Sequence, residues 1–425
     1  MSDTLFTQVD IFDGSGTPPY RGEVLVRGNR IEALGRAPER LPRDGATVIE
    51  GAGTTLMPGM VNCHAHPSYC DIGKNFRAIG DMPVEENTLH TMRNVAMMLD
   101  RGFTALLSGA CAKHRTDIVI RNAIDAGHIR GPRFLACTPE ITVSAGLGDI
   151  RQMHMHHDLV SVVLDGPDKI RDYCRTMIRE GVDSVKLVIS GDNFVSGGNG
   201  ERTVMWEEEV AAAARVVHAH GRRLIAHART AQAVKMCVRH GITLIYHANF
   251  CDEEALDLLE ANRDRHFVNP AIGLTCAALY GMADYGLPGT VAESLGFRRE
   301  LDGAIEVCRA LHRRGVRVLP FGDYGFEWNR VGDDARDLEL FVDLMGFSPA
   351  EVLTMATKTG GECFGAPIGV IKPGHLADLI LVDGNPVQDI RLLQDPARIL
   401  LVMKDGRIEK DPGPLLATRR RQSAA

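Results

Sequence analysis

No run of apolar residues in this chain is long enough to cross a bilayer, which excludes a helical membrane span as the organising feature. No block of Lys and Arg precedes the tail Arg419-Arg420-Arg421, and formal net charge is −7. Nucleic acid is therefore not expected as the main partner. The start, Met1-Ser2-Asp3-Thr4-Leu5, lacks a basic segment followed by an apolar one, so no signal peptide is expected. Ten cysteines are scattered without paired spacing, which argues against a disulfide framework and for reduced thiols in the cytoplasm. Aromatic residues make up only 5%, yet the apolar fraction of 44% is normal for a globular protein. The class left is a globular protein, with neither nucleic acid nor membrane expected as partner.

What the chain does contain is alternation. Residues 1–56 read as short strands between Gly, Asn and Pro turns, at Phe6 to Phe12, Glu23 to Arg27, Arg30 to Leu34 and Ala46 to Ile49. From Met57 onward short apolar strands alternate with helical stretches, the pattern of a parallel α/β array. Eight such strands end near Asn62 to His66, Thr104 to Ser108, Phe134 to Thr138, Ser184 to Ile189, Leu224 to His227, Leu244 to His247, Phe267 to Ala271 and Arg317 to Gly322. Eight units over about 300 residues predict a (β/α)₈ TIM barrel over 57–366. Strand texture returns at Ala377 to Val382 and Ile399 to Met403, so 1–56 and 367–412 are expected to share one small β-sandwich domain. Residues 413–425 are expected to be a mobile tail.

The barrel strands end in unusual residues. Met57-Pro58-Gly59-Met60-Val61-Asn62-Cys63 leads into His64-Ala65-His66. Residues two apart on a strand share a face, so two imidazoles would project together. Chance alone gives about 0.6 His-x-His per chain of this composition, and His154-Met155-His156 and His218-Ala219-His220 are two more, so position decides. The fourth strand places Lys186 in Val185-Lys186-Leu187, the fifth ends at His227, the sixth at His247 and the eighth reaches Asp323. Active sites of this barrel form at the C-terminal strand ends. Imidazole and carboxylate suit zinc, with manganese or cobalt as alternatives. A lysine among cations fits if its neutral amine, favoured by burial, has taken up carbon dioxide as a carbamate.

The ordered set His64-x-His66, Lys186, His227, His247, Asp323 resembles the amidohydrolase superfamily, over nearly the whole chain. The nearest branch holds Xaa-Pro dipeptidases (prolidases) and imidazolonepropionase. The runs Ala226-His227-Ala228-Arg229 and Val234-Lys235-Met236-Cys237 are also similar to phenylurea and thiocarbamate hydrolases. The resemblance implies two divalent metal ions: His64, His66 and Asp323 on one, His227 and His247 on the other, carboxylated Lys186 between them. It implies hydrolysis of a C–N bond to a carbonyl, in an amide, N-acyl amino acid, dipeptide, carbamate or urea, with Asp323 as general base and then acid. A cytoplasmic homo-oligomer is expected.

There is one departure. Dipeptidase-like relatives often carry a Gly-Gly-His-Gly loop after the third strand, and here Leu147 stands at the histidine. His154, His156 or His157 could replace it. Arg229 and Asn249, two residues beyond His227 and His247, and Tyr246 are further candidates for substrate contact, and 191–200 is a candidate lid. The alternatives are a mononuclear deaminase or cyclic-imide hydrolase, and a scaffold without metals. Deaminases carry His-x-x-Glu after the fifth strand, whereas this chain reads His227-Ala228-Arg229-Thr230.

Overall fold

The computed structural model describes residues 3–71, 77–154, 159–193, 200–286 and 288–411. The tail 413–425 and the centre of the candidate lid, 194–199, lie outside the described residues.

Eight short parallel strands form the barrel: Met60–Ala65, Phe103–Ser108, Arg133–Leu135, Ser184–Val188, Arg223–Thr230, Leu244–Phe250, Phe267–Asn269 and Arg317–Val318. They are called the first to eighth barrel strands below. The first three pair in order, as do the last five. The third meets the fourth through a bridge between Cys137 and Ser184. Between the eighth and the first, Asp323 N donates to His64 O at 3.3 Å. Two added strands, Glu140–Thr142 and Ser161–Val163, extend the sheet beside the fourth barrel strand, where Ile141 pairs with Leu187.

Local chemistry explains the strand–helix alternation. The helix Ala231–Arg239 starts at Thr230, whose hydroxyl accepts from Ala233 N, and is followed by Gly241 at φ 64°. The helix Glu253–Ala261 starts at Asp252, whose carboxylate accepts from Ala255 N. The helix Phe297–Arg313 buries Phe297, Leu301, Ala304, Cys308 and Leu311, a stripe spaced three to four residues apart. Its buried stripe packs into the large core shared by helices and strands. The barrel interior is a separate cluster that includes Val61, Cys63, Ile225, Leu244, Tyr246 and Leu319.

The N-terminal strands share one sheet with the C-terminal ones. Thr54–Pro58 runs antiparallel to Leu379–Asp383 and parallel to Asp3–Ile11. This sheet has its own core, with Phe6, Val9, Ile11, Leu56, Leu379, Leu381 and Met403. Gly59 separates Pro58 from the first barrel strand. A Cβ at Gly59 would lie 2.1 Å from Thr104 Oγ1, so a side chain there cannot be accommodated without displacing the second strand. Among the described residues no helix is long and apolar enough to cross a membrane.

Candidate metal centre and active-site cavity

The first strand is buried throughout. Asn62 Nδ2 donates to Asp334 Oδ1 at 2.7 Å, and Asn62 Oδ1 accepts from His64 N at 2.8 Å, fixing the strand end. Each histidine is then fixed by its second ring nitrogen. Asn269, at the end of the seventh strand, donates through Nδ2 to Pro320 O at 3.1 Å and Phe321 O at 2.6 Å. Its Oδ1 is therefore the atom facing His64, and His64 Nδ1 must donate to it, at 3.3 Å. A carbonyl can only accept, so His66 Nδ1 donates to Ala110 O at 3.3 Å. Nε2 of both rings thus carries the lone pair, and both Nε2 atoms are buried without a hydrogen-bond partner. His227 is held the opposite way: Nε2 donates to Gly191 O at 3.0 Å, which leaves Nδ1 as the lone-pair atom.

These rings form a continuous arc. Ring centroids lie 5.1 Å apart for His64 and His66, 5.6 Å for His64 and His247, and 4.4 Å for His247 and His227. Asp323 closes it, with Oδ1 at 3.5 Å from His64 Nε2 and 3.3 Å from His66 Nε2, and Oδ2 at 3.5 Å from His247 Nε2. Donor atoms of His64, His247 and Asp323 all lie within 4.8 Å of one another. A Cβ at Gly109 would lie 2.5 Å from His64 Cδ2 and 2.9 Å from His66 Nε2, so the cradle tolerates no side chain there. Buried lone pairs, a carboxylate and a small-residue cradle are a donor set suited to a divalent metal.

Burial drives the protonation states. It holds His64 and His247 well below the usual imidazole range and brings His227 down to about 3, with Arg229 adding to the last two. Burial opposes ionisation of Asp323, but the imidazoles of His64, His66 and His247 outweigh it and hold the carboxyl well below its ordinary value. Burial also lowers Lys186, against the attraction of Glu140 and Asp323. Lys186 Nζ sits 4.3 Å over the ring of Tyr246 and 3.9 Å from Glu140 Oε1.

The cavity above this arc, about 720 Å³ with its mouth included, has Lys186, His227 and Asp323 at its base. Tyr69, Leu147, Ile150, Val160, Leu274 and Phe326 give it apolar walls, and Glu140, Ser161 and Asp192 supply the other polar groups. The sequence-based substrate candidates fall elsewhere. Arg229 and Asn249 are each 1% exposed and do not line the cavity. Arg229 binds Asp192, Glu300 and Asn249 instead. Tyr246 lies in the barrel interior, stacked on His64 at 3.5 Å between centroids, its hydroxyl donating to Cys63 O at 2.8 Å. His154 is exposed and does not line the cavity, and His156 and His157 lie outside the described residues. Leu147, at the position of the dipeptidase histidine, is an apolar wall.

The sequence reading passed over Glu140, Asn269 and Asn62. Asn269 closes the seventh strand, but Asn62 lies inside the first and Glu140 opens the added strand Glu140–Thr142, and an amide or a lone carboxylate carries less chemical signal than His-x-His.

Comparison with known proteins gives the family. The amidohydrolase family model matches residues 55–408. Ochratoxinase of Aspergillus niger is 24% identical over 95% of this chain and 86% of its own length. Its solved structure superposes with a TM-score of 0.83 at 20% identity, covering 97% of this chain and 96% of that one. A prolidase complexed with N-methylphosphonate-L-proline superposes at 0.85, with 25% identity, 96% of this chain and 100% of that one. With a family model that spans most of the sequence and solved structures that cover at least 96% of it, this chain belongs to the amidohydrolase family.

Proposed function

We propose that this protein hydrolyses a C–N bond to a carbonyl in a small molecule, using two divalent metal ions. Members of this family generally use divalent ions. The observation that carries the reading is the pair of buried, unpartnered Nε2 atoms on His64 and His66, each with its other nitrogen fixed as a donor, beside Asp323. His64, His66 and Asp323 would hold one ion, His227 Nδ1 and His247 the other, and carboxylated Lys186 would stand between them. Zinc suits this set, with manganese and cobalt as alternatives. When bound, the ions supply Lewis-acid chemistry, making water more acidic and the scissile carbonyl more electrophilic.

The chain's own groups do the rest. Asp323 is ionised, faces the cavity and takes the proton of the attacking water, then returns it to the leaving amine. Burial lowers the Lys186 amine, against the pull of Glu140 and Asp323, and so favours its reactive neutral form. Its nitrogen adds to the carbon of carbon dioxide and loses one proton, giving a carbamate. The names of the relatives, prolidase and ochratoxinase, support an amide-type bond.

The test is metal content per chain after zinc loading, with a hydrolysis screen of amides, N-acyl amino acids, dipeptides, carbamates and phenylureas. Near two ions and turnover of at least one class are expected. A chain that retains no metal, or a two-metal protein inert toward every class, would overturn the reading.

A further inference from the structure

Glu140 has no part in the chemistry above, yet it faces the reacting centre. It opens the short strand Glu140–Thr142, which runs parallel to Ser161–Val163 with Glu140 opposite Ser161. That register lets Ser161 Oγ donate to Glu140 Oε2 at 3.0 Å. The pair is braced from outside: a Cβ at Gly148, where φ is 83°, would lie 1.9 Å from Ser161 Oγ. One carboxylate oxygen is thus fixed. The other, Oε1, points toward Lys186 Nζ at 3.9 Å, beyond hydrogen-bond reach.

The charges around it are one-sided. Among the described residues lining the cavity, Lys186 is the one lysine, and no arginine is present. Asp192 and Asp323 line it too. Arg229, which the sequence offered as a substrate contact, is committed to Asp192 and Glu300 inside the protein. Leu147 stands where a histidine would face substrate in dipeptidase-like relatives. Once Lys186 is a carbamate, Glu140 loses the one lysine charge beside it, and the cations left in the cavity would be the metal ions, partly offset by their own anionic ligands. A partly desolvated carboxylate then takes its counter-charge or hydrogen-bond donor from whatever enters the cavity.

We propose that Glu140 selects substrates by charge: the site accepts molecules that present an N–H or ammonium group to Glu140 Oε1 and disfavours those that present a carboxylate. The substrate class is then a neutral or cationic amide, carbamate or urea with an apolar or aromatic body, rather than an N-acyl amino acid or dipeptide with a free carboxylate. This rests on the hydrolase reading for the word substrate, but the binding preference holds whether or not a bond is cleaved.

The test uses three probes with one aromatic body and no hydrolysable bond: 3-phenylpropylammonium, 3-phenylpropan-1-ol and 3-phenylpropionate. Each is titrated calorimetrically into the metal-loaded protein, wild type and Glu140→Gln. The substitution should weaken the ammonium about tenfold and tighten the carboxylate about tenfold, the scale of one charge-assisted contact, and leave the alcohol within about threefold. Metal affinity for the carboxylate cancels, because each probe is compared with itself. Glu140→Asp, which keeps the charge, should keep the wild-type order of the probes. Three probes shifting together, or none shifting, would overturn the proposal. Hydrolysis is scored separately on amides of both charge types. Opposite shifts without turnover would sink the hydrolase reading and leave this one standing. Turnover with parallel shifts would do the reverse.

Discussion

Replacing Arg229 by glutamine separates two roles for this residue, a substrate contact and a clamp inside the protein. The guanidinium donates to Asp192 Oδ2 at 2.6 and 3.1 Å, to Glu300 Oε1 at 2.5 Å and to Asn249 Oδ1 at 3.0 Å. Side-chain exposure is 1% for Arg229, 5% for Asp192 and 0% for Glu300. Removing one partner of such a buried set leaves charge without compensation, and costs about 3–5 kcal/mol. The lower end is expected here. Glu300 still accepts from Asn193 and Thr275 at 2.9 Å, and burial already raises its carboxyl to about 7, so it can take up a proton.

That proton gives the prediction a pH signature. A carboxyl whose folded value is raised contributes stability that is fully present below its ordinary value and is lost as pH rises through the folded value. Arg229 opposes the rise at Glu300, so its removal pushes the carboxyl higher still. The penalty of Arg229→Gln should therefore be smallest near pH 5 and grow through pH 8. Denaturant midpoints of the metal-loaded protein at several pH values measure it. Arg229→Met combined with Asp192→Asn and Glu300→Gln should recover much of the loss, because no buried charge is then left alone. Metal retention should fall too, since Asp192 follows Gly191, whose carbonyl orients His227. A variant as stable as the wild type at every pH, with only a raised KM, would make Arg229 a substrate contact and refute the clamp.

The remaining predictions concern the reacting centre. Asp323→Asn should keep a weak oxygen ligand but lose the proton acceptor, lowering kcat by on the order of 10²–10⁴ while losing less metal than His64→Ala; wild-type turnover with an unchanged acidic limb would move the base elsewhere. Lys186→Ala should abolish activity, with partial rescue by added short carboxylic acids; full activity, or an unmodified ammonium at full metal occupancy in a crystal structure, would dismiss the carbamate. Asn269→Leu should weaken metal binding by roughly 10–100-fold in chelator competition, because His64 Nδ1 loses the acceptor that fixes its tautomer, and unchanged affinity would show that the tautomer is set by something else.

Two different physical signals decide what was legible. The eight strands were readable because short apolar runs alternate with helical ones, and those runs fall where the barrel strands lie. Histidine and aspartate at their C-terminal ends were readable because few other reasons put such residues there. The orientations were not. Tyr246 faces the barrel interior, so simple alternation would aim its neighbour His247 outward. The ring comes over the site because the backbone turns at His247, φ 76°, and again at Ala248, φ 53°. The chain beyond the eighth strand does the same at Phe321, φ 73°, and Asp323, φ 59°. Left-handed backbone at non-glycine residues costs on the order of 1–3 kcal/mol each, and no local propensity asks for it. Arg229 shows the same limit on side chains. Its sequence position beside His227 suggested substrate, but its partners come from 37 and 71 residues away, which no local pattern reveals. Residues whose local preferences are overruled at His247, Phe321 and Asp323 converge on one rim, beside two lone pairs without partners. Left-handed backbone also occurs at Gln8 and Asp405, away from the rim, so what marks the site is strain at His247 and Asp323 beside the unpartnered Nε2 atoms of His64 and His66.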